Sequence, residues 1–182
     1  VFGLPIPLLP AQILFINLMT DGLPGIALAA EPAERNVMSR PPYPPNEGLL
    51  ARGLGVHVAW IGCLIASITL GLQTWALSRG LENWQTMVFA ALASAQLWHV
   101  LAIRSETDSL LRLGLRSNLS LLEAVVFTAT VLVATIYVPW LNQILHTAPL
   151  APEELAISLL LPALVFVAAE SEKWWRVRQA RN

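Results

Sequence analysis

Charge is scarce in this sequence, and cysteine is almost absent. Only 13% of the 182 residues are Asp, Glu, Lys or Arg, where a soluble domain carries about 25%. A large core cannot account for that deficit in a chain this short. Eleven Lys and Arg against 12 Asp and Glu leave a net charge of -1, which excludes a basic nucleic-acid-binding domain. Cys63 stands alone, so the chain forms no internal disulfide and supplies no Cys-rich metal site. No Gly-x-Ser-x-Gly string is present, and no Ser and His share a helix face, so nucleophilic hydrolysis has no support. No internal repeat appears, and with it an inverted-repeat transporter loses its basis. Val1 is not an initiator methionine and no signal-peptide pattern follows it, so the expectation is a fragment of a longer protein.

What the chain does have is apolar residues, 55% of the total, with mean hydropathy +0.60. Such a composition excludes disorder and points to an all-α membrane protein. The placement of the charges is more informative than their number. The 26 residues between Arg52 and Arg79, the 21 between Glu82 and Arg104 and the 29 between Glu123 and Glu153 are uncharged, and residues 1–30 hold only Asp21. Each stretch can supply the ~20 residues of a transmembrane helix. A final apolar run, 155–169, reaches that length if Glu170, Glu172 and Lys173 sit in the interface beside Trp174 and Trp175. The expectation is a bundle of about five transmembrane helices, near 8–29, 54–77, 84–103, 118–138 and 154–174.

Five consecutive spans place 31–53, 104–117 and the C-terminal tail on one side. That side receives ten of the 11 basic residues, leaving Arg79 alone on the other. By the positive-inside rule it is cytoplasmic, and so is the C-terminus. The run Arg40-Pro41-Pro42-Tyr43-Pro44-Pro45 in the first cytoplasmic loop is incompatible with helix. It reads as a stiff connector or as a docking strap.

One constellation carries chemistry. Asn17, Thr20 and Asp21 fall at i, i+3 and i+4, so a regular helix projects them from one face. An Asp within a span is costly and usually marks an ion or proton path. Carboxylate, amide carbonyl and hydroxyl are all oxygen donors, suited to a hard cation such as Ca²⁺. Pro24, just beyond Gly22, removes a helical hydrogen bond, so a loosened turn would free carbonyls to join the coordination. The competing reading is a polar patch that pairs neighbouring helices.

Other residues read more blandly. His99 and His57 are polar packing or interface residues, with a metal role for His99 as the alternative. His146 lies in an outer loop. Glu123 snorkels or pairs with Arg116. Glu170 and Glu172 beside Lys173 and Arg176 form an interfacial ion-pair network or a gate. The tryptophans, Trp84, Trp140, Trp174 and Trp175 among them, fall at span ends as an aromatic belt. Cys63 reads as a small core-facing residue.

The string Pro10-Ala-Gln12-Ile-Leu-Phe-Ile-Asn17-Leu-Met-Thr20-Asp21-Gly22-Leu-Pro24-Gly-Ile-Ala-Leu resembles the sixth transmembrane helix of P-type cation-transporting ATPases of the calcium-pump class. Glu31-Pro32 and Val37-Met38-Ser39-Arg40-Pro41-Pro42 resemble that family's loop between helices six and seven. Thr86-Met87, Gln96-Leu97-Trp98-His99 and Arg104-Ser105-Glu106 resemble its eighth helix and the exit from it. Residues 1–182 would then be the C-terminal transmembrane domain, corresponding to helices six to ten.

The resemblance implies that Asn17, Thr20 and Asp21 are ligands of a transported cation, with Asp21 the central carboxylate. Where the two-site calcium pumps carry a glutamate in helix eight, this chain has Gln96, a weaker neutral ligand. That departure favours a single-ion pump of the secretory-pathway or bacterial type, moving Ca²⁺ or Mn²⁺, and the expected location is a bacterial plasma membrane. Asn17 and Gly22 differ from the sodium/potassium class. The chain itself contains no Asp-Lys-Thr-Gly-Thr phosphorylation motif, no nucleotide-binding segment and no Thr-Gly-Glu loop. ATP and Mg²⁺ would act only through cytoplasmic domains outside these 182 residues. The implied partners are the lipid bilayer and the pump's N-terminal part: helices one to five with the actuator, phosphorylation and nucleotide domains. The alternatives are a non-catalytic membrane scaffold or a passive cation channel.

Overall fold

The computed structural model describes residues 3–31, 53–105 and 117–179, together with Met38, Gly48, Leu110 and Gly114. The strap at 40–45 and Arg116 lie outside the described residues. Among the described residues the chain is all helix and turn, with no strand. The elements are α1 (Pro10–Leu28), α2 (Leu54–Ser78), α3 (Trp84–Ala102), α4 (Leu119–Tyr137), the short α5 (Pro139–Leu145), α6 (Pro152–Leu160) and α7 (Ala163–Gln179). Hydropathy does not anticipate α5, and α6 and α7 divide what it treats as one final span.

Among the described residues, four segments are long and apolar enough to cross a membrane: α1, α2, α4 and the α6–α7 pair up to Arg176. Helix α3 falls outside that set because Gln85, Thr86, Ser94, Gln96 and His99 interrupt its apolar residues. Its position explains its polarity. Twelve of its 19 residues are buried, against four of 25 in α2, and α1, α2, α4, α6 and α7 all pack against it. A helix shielded by its neighbours has no need of an apolar surface toward lipid, and its polar side chains can serve the helices around it. Phe89, fully buried on α3, meets Phe15 of α1 edge to face, with ring centroids 5.5 Å apart.

Helix α2 shows the opposite pattern. It touches α3 and α7 and leaves most of its length exposed. Cys63 lies on that exposed face rather than in the core, a correction to the expectation from sequence. Periodicity could not place it, because small residues occur all around α2. Trp140, Trp174 and Trp175 are exposed near helix ends, and Trp84 is half-buried at the start of α3.

Prolines shape three of these helices, and each leaves a carbonyl that a side chain then satisfies. Pro162, between α6 and α7, cannot donate to the carbonyl of Ser158 four residues earlier. That oxygen instead accepts from Ser94 Oγ on α3 at 3.0 Å, and the next one, of Leu159, accepts from Trp98 Nε1 at 3.0 Å. Pro139 similarly strands the carbonyl of Thr135, which takes Asn142 Nδ2 at 2.8 Å. Within a bilayer no water is available for these oxygens, so neighbouring side chains must meet them.

Candidate cation-binding segment

Within α1 the middle seven residues, Ile16–Gly22, form a π-helix between α-helical ends. Runs of this kind are rare and are often found at functional sites. Here the run coincides with the polar string and stops two residues before Pro24. In the π register the amide of residue 24 would donate to the carbonyl of Met19, and proline has no amide hydrogen. Thr128 Oγ1 of α4 supplies the missing donor at 3.1 Å. The loosened turn expected from the sequence is therefore a widened one.

The wider turn changes which residues share a face. With more residues per turn, a three-residue step falls well short of a full rotation, while a four-residue step stays close to one. Asn17 and Asp21 accordingly project together and are exposed, whereas Thr20 turns inward and is 2% exposed. A single face for all three, as a regular helix would give, is not what the structure has. Among the described residues, the side chains of Asn17 and Asp21 make no hydrogen bond.

Thr20 brings the segment to α3. Its hydroxyl is within hydrogen-bonding reach of two acceptors, the Ile16 carbonyl at 2.6 Å and the side-chain oxygen of Gln96. A hydroxyl has one proton and can donate to only one acceptor at a time. Oxygens of Thr20, Ile16 and Gln96 therefore converge at this turn, and the hydroxyl can satisfy only one of the other two at a time. The structure thus joins Thr20 to Gln96, 76 positions apart, and leaves Asn17 and Asp21 on the outer side of the same turn.

A second polar cluster has no signature in the sequence. His57 at the start of α2, His99 near the end of α3 and Glu172 on α7 meet, although 42 and 115 positions separate His57 from the other two. His57 Nδ1 lies 2.6 Å from Glu172 Oε2, which also accepts from Trp60 Nε1 at 2.7 Å. His57 Nε2 and His99 Nε2 are 3.3 Å apart, with ring centroids at 5.6 Å and planes within 22°. A centroid separation that exceeds the nitrogen distance by about two ring radii describes a head-on N–H···N contact, not stacking. With Glu172 ionised, His57 carries its proton on Nδ1 and His99 donates from Nε2. Arg176 also pairs with Glu172 and reaches the Gly53 carbonyl at 3.3 Å. Gly53 has φ +84°, a conformation that strains any side chain, and it lies against the Arg176 guanidinium. Glu170 pairs with Lys173 at 2.7 Å. These are ion pairs within and between helices, as the network reading expects. Glu123 is exposed. No spacing rule could have linked α2, α3 and α7.

A bundle of apolar helices around a polar central one, with a π-distorted polar turn in its first member, defines a multi-pass membrane domain. The chain belongs to the family described as Cation transporting ATPase, C-terminus, which matches residues 5–175. It is the C-terminal membrane domain of a P-type cation ATPase. It is 40% identical to the "Calcium-transporting ATPase" of Bacillus subtilis over 165 residues, 89% of this chain and 18% of that protein. It is 29% identical to "Calcium-transporting ATPase 1" of Yarrowia lipolytica, over all of this chain and 20% of the relative. With the mouse "Calcium-transporting ATPase type 2C member 2" the identity is 30%, over 96% of this chain and 19% of the relative. The chain thus spans about a fifth of the length of the curated relatives it matches.

Proposed function

We propose that this domain contributes part of the transmembrane cation site of an ATP-driven pump for Ca²⁺, with Mn²⁺ as a second transported ion. Thr20 and Gln96 supply neutral oxygens, and Asn17 and Asp21 supply an amide oxygen and a carboxylate from the outer side of the same turn. The observation that carries this reading is the convergence of oxygens from Thr20, Ile16 and Gln96 at the π-distorted turn that also bears Asn17 and Asp21. Neutral oxygens grouped beside a carboxylate suit a hard cation. The relatives' names supply the choice of Ca²⁺.

In this reading α3 is also a span, the third of five in chain order, its polarity tolerated by the helices around it. The basic loops and the C-terminus face the cytoplasm of a bacterial plasma membrane. The loop at 31–53 couples the membrane site to the phosphorylation domain. ATP and Mg²⁺ act in the cytoplasmic domains of the complete pump.

The test is ATP-dependent uptake of radiolabelled Ca²⁺ into vesicles by a chimera in which this chain replaces the matching region of the Bacillus subtilis relative. Asp21→Asn should abolish uptake, and Mn²⁺ should compete with Ca²⁺ in the unsubstituted chimera. Uptake that survives Asp21→Asn would overturn the site assignment and leave the polar turn as helix packing.

A further inference from the structure

Arg104 follows the last turn of α3, and its side chain is 2% exposed. Four of its five N–H donors are engaged among the described residues. Nε donates to Glu31 Oε2 at 3.1 Å, and Nη2 donates to Glu31 Oε1 at 2.8 Å and to Ser117 Oγ at 2.6 Å. Nη1 donates to the Gly114 carbonyl at 3.3 Å. Glu31 lies three residues beyond α1, and its Oε2 also accepts from Asn118 Nδ2 at 2.8 Å. Asn118 ties the node to α1 again through the Ala27 carbonyl at 3.2 Å, and its Oδ1 caps α4 by accepting from Leu121 N at 2.9 Å.

A single carboxylate thus fixes the ends of three helices, and these are the helices that build the polar turn. Gln96 lies eight positions before Arg104 on α3, and Thr128 lies ten positions after Asn118 on α4. Thr20 and Met19, which these two contact, lie on the helix that Glu31 terminates. A buried ion pair is weak evidence for net stability. What a forked guanidinium–carboxylate contact provides is fixed geometry.

We propose that Arg104 is a positioning residue for the polar turn: through Glu31 and Asn118 it sets the depth and rotation of α1 against α3 and α4. The consequence for cation affinity rests on the transport reading above. The positional consequence does not, and two experiments separate them.

The first uses this chain in lipid nanodiscs with Cys63→Ser, Thr20→Cys and Gln96→Cys, and measures disulfide formation between positions 20 and 96. Arg104→Gln should slow it several-fold. Arg104→Lys, which keeps the charge and loses the fork, should slow it less, and it decides the matter should Arg104→Gln fail to fold. Exchanging the pair, Glu31→Arg with Arg104→Glu, should restore part of the rate. Cross-linking at the parent rate in Arg104→Gln, or in Arg104→Lys where that is the variant that folds, would overturn the proposal.

The second uses the chimera. There the Arg104 variant should raise the Ca²⁺ concentration for half-maximal uptake several-fold, with the maximal rate and the half-saturating ATP concentration unchanged. A fall in maximal rate with unchanged Ca²⁺ half-saturation would overturn the link to affinity. An unsubstituted chimera that transports nothing counts against the transport reading, and the cross-linking rate then decides the role of Arg104.

Discussion

The hydroxyl of Thr128 donates at 3.1 Å to the backbone carbonyl of Met19, the oxygen that Pro24 leaves without a π-register donor. The distortion of α1 is therefore held from outside. A helix with proline at position 24 has a stranded carbonyl, and a second helix must present a donor at that depth for the wide turn to persist.

Replacing Thr128 with Val keeps the shape and removes the donor. We expect it to destabilise the chain by ~1 kcal/mol, in the range of interhelical hydrogen bonds within membranes. Thr128→Ser should be nearly neutral. Unfolding in mixed micelles by graded denaturing detergent measures both.

Pro24→Ala restores an amide that can donate one turn back. The wide turn should relax to α-helix, rotating Thr20 away from Gln96 and reducing Ca²⁺ uptake in the chimera while the helix itself becomes more stable. Amide hydrogen exchange over 16–24 should slow. Unchanged exchange would mean that packing against α3 and α4, rather than proline, sets the register.

Gln96→Leu and Gln96→Glu separate packing from coordination. Leucine deprives Thr20 of its polar neighbour and should lower both stability, by ~1 kcal/mol, and uptake. Glutamate can still meet the Thr20 hydroxyl and adds a charged oxygen ligand, so the chimera should keep its fold and bind Ca²⁺ more tightly. Weaker Ca²⁺ binding in a folded Gln96→Glu chimera would remove Gln96 from the site.

His57→Phe removes one of the groups that hold Glu172, leaving Trp60 Nε1 and Arg176. Hydrogen bonds to a charged group are worth ~1.5–3 kcal/mol, so α7 should dock less firmly. Faster limited proteolysis at the C-terminal end of α7, with a shift in Trp60 emission, would register this. His99→Phe leaves the contact between His57 and Glu172 intact and should have the smaller effect.

The polar turn is partly legible in the amino-acid sequence. Asn17, Thr20, Asp21 and Pro24 stand out because an acid beside a proline in an apolar run is costly, and local spacing is all that is needed to see it. Their sorting is not legible there. Regular periodicity puts all three polar side chains on one face, while the π register buries Thr20 and leaves Asn17 and Asp21 outside. Gln96 is singled out by resemblance, but its contact with Thr20 depends on how two helices cross. The roles of Glu31 and Arg104, and the meeting of His57, His99 and Glu172, give no local signal.

Taken alone, the sequence determined the class of the molecule. Long uncharged runs have nowhere stable to go but a bilayer or a helical bundle, and prolines fix where helices must break, wherever their neighbours lie. The tertiary structure decided how each break is tolerated. The donor for Met19 comes from 109 positions away and that for Ser158 from 64, and a donor so remote is brought into reach only by packing. The same packing set the polarity of α3, because a helix surrounded by others is relieved of the demand for an apolar surface that lipid makes of the rest.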